Sequence, residues 1–313
     1  MKKILMIAAM SAVLITFSSC GNEDEPQGFT GKTADLRIET EIAGMVETYS
    51  TTNAFAEGSK LSLWVTPGTL GTNYNLGPYN NVLAELKSGK WQLTPQVKLS
   101  DTPAVMYAFF PYGTSYTNGK DNMNVYHTNQ VDYMFGTNAE GYNSVDRNNP
   151  NVKIRMKHVK ALLQFRIKKM NYPGEGKLTK VEVLNNNGKY EIRSGAALNI
   201  ASGELSFHGN QHSPALLEDI NGLVTITDEA PTLEKDYVNL MLLPVTNTTA
   251  QSSVLIKFII DDNTFYYGVP VNTSWKQGTK YIYNVTLNGT ELTIDDVIIT
   301  DWTTGPENSI NLF

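Results

Sequence analysis

Few residues in this 313-residue chain have the types and spacing that chemistry needs. There is one cysteine, Cys20, and there are four histidines, His127, His158, His208 and His212. His208 and His212 are four apart, a spacing that can hold zinc on one face of a helix. The segment around them carries Gly209 and Pro214, which no helix tolerates well, so both read as surface histidines. The acid pairs Asp261-Asp262 and Asp295-Asp296 read as strand ends, where turn chemistry accounts for them. There is no EF-hand-like Asp-rich loop, no Gly-rich phosphate loop and no Gly-x-Ser-x-Gly elbow. A carboxylate pair brought together by the fold, as in a glycosidase, is the catalytic arrangement that spacing leaves open. The expectation is therefore a non-enzyme with no cofactor and no metal.

Cys20 has a different context. Lys2 and Lys3 precede an apolar run from Ile4 to Phe17, followed by Ser18, Ser19 and the cysteine. That is the layout of a secretory signal peptide, residues 1–19, with an apolar run too short for a membrane span. The small pair before the cysteine resembles a bacterial lipobox, with Phe17 in place of the usual Leu. Cys20 would then be the acylated first residue of an outer-membrane lipoprotein, held by several chains where one would not suffice. A lone cysteine forms no internal disulfide. Glu23-Asp24-Glu25 resembles the export signal of surface lipoproteins in Bacteroidetes, and a solvated acidic linker would look the same. Residues 20–33 read as a lipidated tether. The net charge of -6 speaks against nucleic acid as a partner.

These residues must be carried by strands. Leu36–Ile42 alternates apolar and polar with period two, as do Leu61–Val65 and Val152–Met156. Ser88-Gly89 and Asn288-Gly289 read as hairpin turns. Ala104–Phe110, Ala161–Ile167, Tyr237–Val245 and Val254–Ile260 are apolar runs of strand length. Residues 111–150 are rich in Asn, Tyr, Gly and Asp, and Thr137–Pro150 reads as a connection between domains. Short strands with frequent turn signals and no helical period indicate an all-β chain of two β-sandwich domains, 34–150 and 151–313. The Tyr- and Asn-rich loop Thr72–Asn81 has the composition of a binding loop, though it reads first as an ordinary exposed loop.

Four segments together resemble the fimbrillin family of Bacteroidales, including its Mfa-like members. They are Tyr107–Tyr112, Asp132–Gly136, Met156–Phe165, and Trp275–Val285 leading to Ile298–Trp302. The resemblance implies two tandem transthyretin-like β-sandwich domains and a subunit of a cell-surface pilus that supports adhesion. It also implies assembly by donor-strand exchange. A protease specific for Arg or Lys removes the N-terminal segment, and a C-terminal strand of another subunit fills the groove. A head-to-tail contact of that kind does not close, so it builds a filament. Arg37 is the better-placed processing site and Lys32 the second; the alternative is that Arg37 is simply the exposed face of an uncut strand. Val297, Ile299, Trp302, Ile310 and Leu312 supply the alternating apolar residues of a donor strand, or of a segment folded back on its own domain. His158 reads as a hydrogen-bonded structural residue and Trp302 as a plug at a strand end. The partners expected are other pilin subunits and the outer membrane. The alternative function is a non-polymerising surface lipoprotein that binds glycans or a host protein.

Overall fold

The computed structural model describes residues 31–43, 55–116 and 122–303. Cys20, Ile310, Leu312 and residues 1–19 lie outside them. The first ten strands are β1 (Ala34–Asp35), β2 (Arg37–Ile42), β3 (Lys60–Thr66), β4 (Tyr79–Lys87), β5 (Lys90–Thr94), β6 (Lys98–Leu99), β7 (Val105–Phe110), β8 (Asn122–Tyr126), β9 (Met134–Asn138) and β10 (Asn151–His158). Those that follow are β11 (Ala161–Met170), β12 (Lys177–Asn185), β13 (Gly195–Asn199), β14 (Leu205–Phe207), β15 (Ala215–Glu218), β16 (Val224–Thr225), β17 (Val238–Leu242), β18 (Val254–Ile260), β19 (Asn263–Gly268), β20 (Thr279–Asn288) and β21 (Glu291–Asp301). Among the described residues the only helical turn is a 3-10 turn at Glu234–Asp236, so the chain is all-β.

The first half is a seven-stranded sheet in the order β2-β10-β9-β7-β3-β4-β5. The sheet curls until its two edges meet, and the Trp91 indole N–H of β5 donates to Thr40 Oγ1 of β2 at 3.3 Å. Its inner face buries Leu36, Ile38, Leu63, Ala84, Val152 and Ile154 in one core. The outer face carries Trp64, Phe109 and Phe135. A three-stranded sheet, β14-β13-β8, covers that outer face through Val125, Ala196 and Leu198. The second half is a sandwich of β17-β11-β20-β21 against β15-β12-β18-β19, closed over Phe165, Phe258, Trp275 and Tyr283.

Local chemistry explains the tight turns. Ser88 and Gly89 link Lys87 to Lys90 with φ of 51° and 71°, the two left-handed residues of a type I′ hairpin. Asp261 and Asp262 do the same between β18 and β19, with φ of 46° and 62°. At the last hairpin Asn288 pairs with Glu291, so the two loop residues are Gly289 and Thr290, one step later than the Asn-Gly pair suggested.

Three expectations change. Asp295-Asp296 is not a strand end. β21 runs through it on an exposed edge, and a register irregularity at Asn284/Val285 accommodates the extra residue. Thr137–Pro150 is not a free connection. Thr137 and Asn138 belong to β9, Ala139 N–H donates to Lys153 O, and Val145 bridges to Ala104. β10 also lies in the first sheet, between β2 and β9, although its residues 151–158 were placed in the second domain.

Candidate assembly site

The N-terminal segment is a separate piece of chain laid on the first sheet's edge. β1 pairs antiparallel with β6, and β2 pairs parallel with β10 from Arg37 opposite Asn151 to Ile42 opposite Met156. Leu36 lies between them. Its N–H donates to Val97 O at 3.0 Å, and its carbonyl accepts from the Gln96 side chain. Leu36, Ile38 and Ile42 point into the core and are at most 5% exposed. Each such side chain contributes about 1.5–3 kcal/mol by leaving water. Arg37 and Glu39 alternate outward. Lys98 pairs with Asp35, and Arg155 with Glu41 at 2.6 Å, both on the surface where such pairs add little. Lys32 is exposed and precedes both strands, whereas the Arg37 peptide is hydrogen-bonded to Pro150 O through its N–H.

A buried hub ties the rest together. His158 ends β10, and its Nδ1 lies 2.9 Å from Asp132 Oδ1 with both side chains about 1% exposed. The Trp302 indole stacks flat on the His158 ring, 3.7 Å between centroids at 4°. Trp302 N–H donates to Gly278 O, Gly278 N–H to Lys160 O, and Val159 N–H to Tyr133 O. His158 and Trp302 therefore fill the structural roles their sequence suggests. The four segments that carry the family resemblance meet here: Phe109 stacks on Tyr133, His158 bonds to Asp132, and Gly278 bonds to both Lys160 and Trp302.

Three members of the hub have no local sequence signal beyond their oddness. Lys160 is a lysine inside an apolar run, fully buried, with its Nζ finding no hydrogen-bond partner among the described residues and lying 5.0 Å above the Tyr133 ring. Burial lowers its pKa to about 7, against the nearby Asp132 charge that raises it. His127 donates from Nε2 to Ser213 O at 2.9 Å and accepts at Nδ1 from Leu243 N–H. Burial holds it neutral, with a pKa of about 4, helped by the Lys160 charge and opposed by the bond to Ser213. Gln130 imitates a strand partner by accepting from Met241 N–H and donating to Met241 O, which caps the β17 edge.

The remaining candidates are dispersed. Val297 and Ile299 sit on β21, paired with Tyr283 and Tyr281, and they are 38% and 64% exposed. His208 and His212 are partly exposed, and His212 lies beside Tyr190. The loop Thr72–Asn81 offers no aromatic platform from Tyr74 or Tyr79. Tyr74 and Tyr79 are buried, and the Tyr74 hydroxyl donates to Thr102 O at 2.6 Å. Among the described residues no group of three His, Cys, Asp or Glu could hold a metal ion, and no helix is long and apolar enough to cross a membrane.

This architecture and hub define a strand-built protein whose chemistry-bearing residues are spent on packing. The fimbrillin-like family profile matches residues 48–302, and the chain belongs to that family. No curated protein matches it. Solved structures share the fold at low identity. A Bacteroides uniformis protein provisionally named for cell adhesion is 15% identical with a TM-score of 0.63, over 87% of this chain and 99% of that one. A Bacteroides ovatus protein of the same designation is 18% identical with a TM-score of 0.63, over 87% and 98%. A fimbrial protein from Bacteroides vulgatus is 14% identical with a TM-score of 0.54, over 86% and 99%.

Proposed function

We propose that the chain is a structural or accessory subunit of a cell-surface pilus, exported as a lipoprotein through Cys20 and joined to its neighbours by strand addition. It has no catalytic role, and its partners are other pilin subunits. The observation that carries this reading is the seating of the N-terminal segment. It lies at a sheet edge, held by backbone bonds and three apolar side chains, and it leads directly to the tether. A strand of another subunit can make the same bonds.

The sequence restricts how that seat is vacated. No Lys or Arg lies between Arg37 and Lys60, so a protease of this specificity cannot excise β2 as a unit. A cut after Arg37 discards β1 and Leu36 together with the tether. It leaves Ile38–Ile42 as a short arm that β10 alone pairs. An incoming strand would fill the vacated run beside β6 and then compete for the place of that arm. Val297, Ile299 and Trp302 are engaged in their own domain, so Ile310 and Leu312 are the apolar donors this reading assigns.

Treating the purified full chain with an Arg- and Lys-specific protease tests this. The expected result is a new N-terminus at Ile38 and a ladder of oligomers, with Arg37→Ala suppressing both. A product that stays monomeric under every protease condition overturns the strand-addition reading.

A further inference from the structure

The two edges of the sheet β17-β11-β20-β21 are treated differently. The Gln130 side chain caps the β17 edge. β21, eleven residues long, pairs only with β20 and shows Val297, Ile298 and Ile299 exposed in succession. Unpaired backbone on such an edge is a template for another strand, and proteins normally cover it or charge it. β19, at the edge of the facing sheet, also pairs on one side only. A groove of about 830 Å³ lies between the two edges, floored by Val269, Tyr281 and Tyr283. Tyr267 lines it from β19, and Val297 and Ile299 line it from β21.

The charge on β21 is of one sign. It carries Glu291, Asp295, Asp296 and Asp301 and no lysine or arginine. Asp295 and Asp296 accept from the neutral side chains of Thr286 and Asn284, and Asp301 forms no ion pair among the described residues. The apolar triplet therefore sits between acids that no base neutralises. Two copies of β21 laid edge to edge would set these acids against each other, and like charges on facing strands repel. A strand that brings bases meets the opposite condition.

We propose that the β21 edge takes an extended segment of another protein, apolar at alternate positions and basic at its flanks, as an added antiparallel strand. Antiparallel pairing is the more stable kind per residue. The register of β21 fixes what that segment must carry. Val297, Ile299 and Asp301 pair with Tyr283, Tyr281 and Thr279, and all three line the groove. Asp296 and Ile298 alternate to the other face. A base opposite Asp301 is thus followed, two and four positions on, by apolar residues opposite Ile299 and Val297. The next residue is a second base, opposite Asp296. The recognised pattern is base-x-apolar-x-apolar-base, with main-chain bonds giving affinity and the alternating side chains giving selectivity. This joint lies in the second half of the chain and does not rest on the pilus reading.

The test is a labelled peptide, Ser-Arg-Thr-Val-Thr-Val-Lys-Ser with both ends capped, titrated with the purified full chain and followed by fluorescence anisotropy. Saturable binding is expected, about tenfold tighter than for the same peptide with Glu in place of Arg and Lys. Ile299→Lys, at an exposed position, should weaken it at least about tenfold, whereas Ile220→Lys, at an exposed position outside the groove, should leave it unchanged. Asp301→Lys should weaken it about fivefold, and changing the peptide's Arg to Glu should restore the loss. Absence of binding, equal affinity for the acidic peptide, or no recovery in the charge swap would each overturn the proposal. So would self-association of the chain that Ile299→Lys abolishes, which assigns the edge to a second copy. Binding seen only in a chain ending at Thr303 would overturn it too. Failure of the protease experiment would leave these results standing.

Discussion

Lys160 brings an amine into a site with no exposed surface, and the rest of the hub is built around that fact. The unfolded chain titrates this group near 10.5 and the folded one near 7. Between those values the unfolded state holds the extra proton, so stability rises with pH across that window and is lost as pH falls toward 7. His127 has the same sign over a lower window, from about 4 to 6.5, because burial also depresses it. Lys160→Met should raise stability at pH 7 by about 1–3 kcal/mol, the usual cost of an unsatisfied buried group. The gain should shrink at pH 10, and urea unfolding at the two pH values checks it; equal gains would refute the burial assignment. Neither residue could be placed from sequence. Lys160 stood out only as a charge within Val159–Phe165, and nothing local marked His127 as buried. His158 and Trp302 were legible because their motifs carried them, whereas the Asp132 contact and the stacked ring needed the fold.

At the scale of elements, strand identity was largely written in the period-two pattern, and strand partnership was not. β2, β3 and β10 fall where the alternation of apolar residues puts them, and β18 where an apolar run of strand length does. The parallel pairing of β2 with β10 joins residues more than a hundred positions apart, and the local sequence of either strand is silent on it. β8 emerges from an Asn-rich stretch because β13 offers it a ladder. Gly136 shows how close such ladders come. It lies on β9 opposite Met156, and a Cβ there would strike the carbonyl of Arg155. Gly136→Ala should therefore destabilise the protein by about 1–3 kcal/mol, the range for overpacking a tight site. A lowered melting temperature with an unchanged β-rich circular dichroism spectrum would confirm it, and an unchanged melting temperature would not.

The whole molecule is more interlocked than its composition suggests. β8 from the first half completes a sheet with β13 and β14 from the second. Gln130 and His127 reach across to Met241, Leu243 and Ser213. The described residues from Lys32 onward form one compact unit by their contacts. Urea unfolding should accordingly be a single transition, with tryptophan fluorescence and far-UV circular dichroism superimposing; two resolved steps would show that the halves fold apart. Segmentation by pattern alone missed this, because a shared sheet leaves no mark in the linear order of turns and runs. The parallel seating of β2 has a mechanical meaning as well. Tension applied to the chain ahead of Ala34 would drag β2 along its own axis, so the β10 ladder would be loaded in shear and its bonds would fail together rather than one by one. Severing the peptide bond before Ile38 takes away β1 and Leu36 without force, yet leaves Ile38–Ile42 on the β10 ladder, freed from the load.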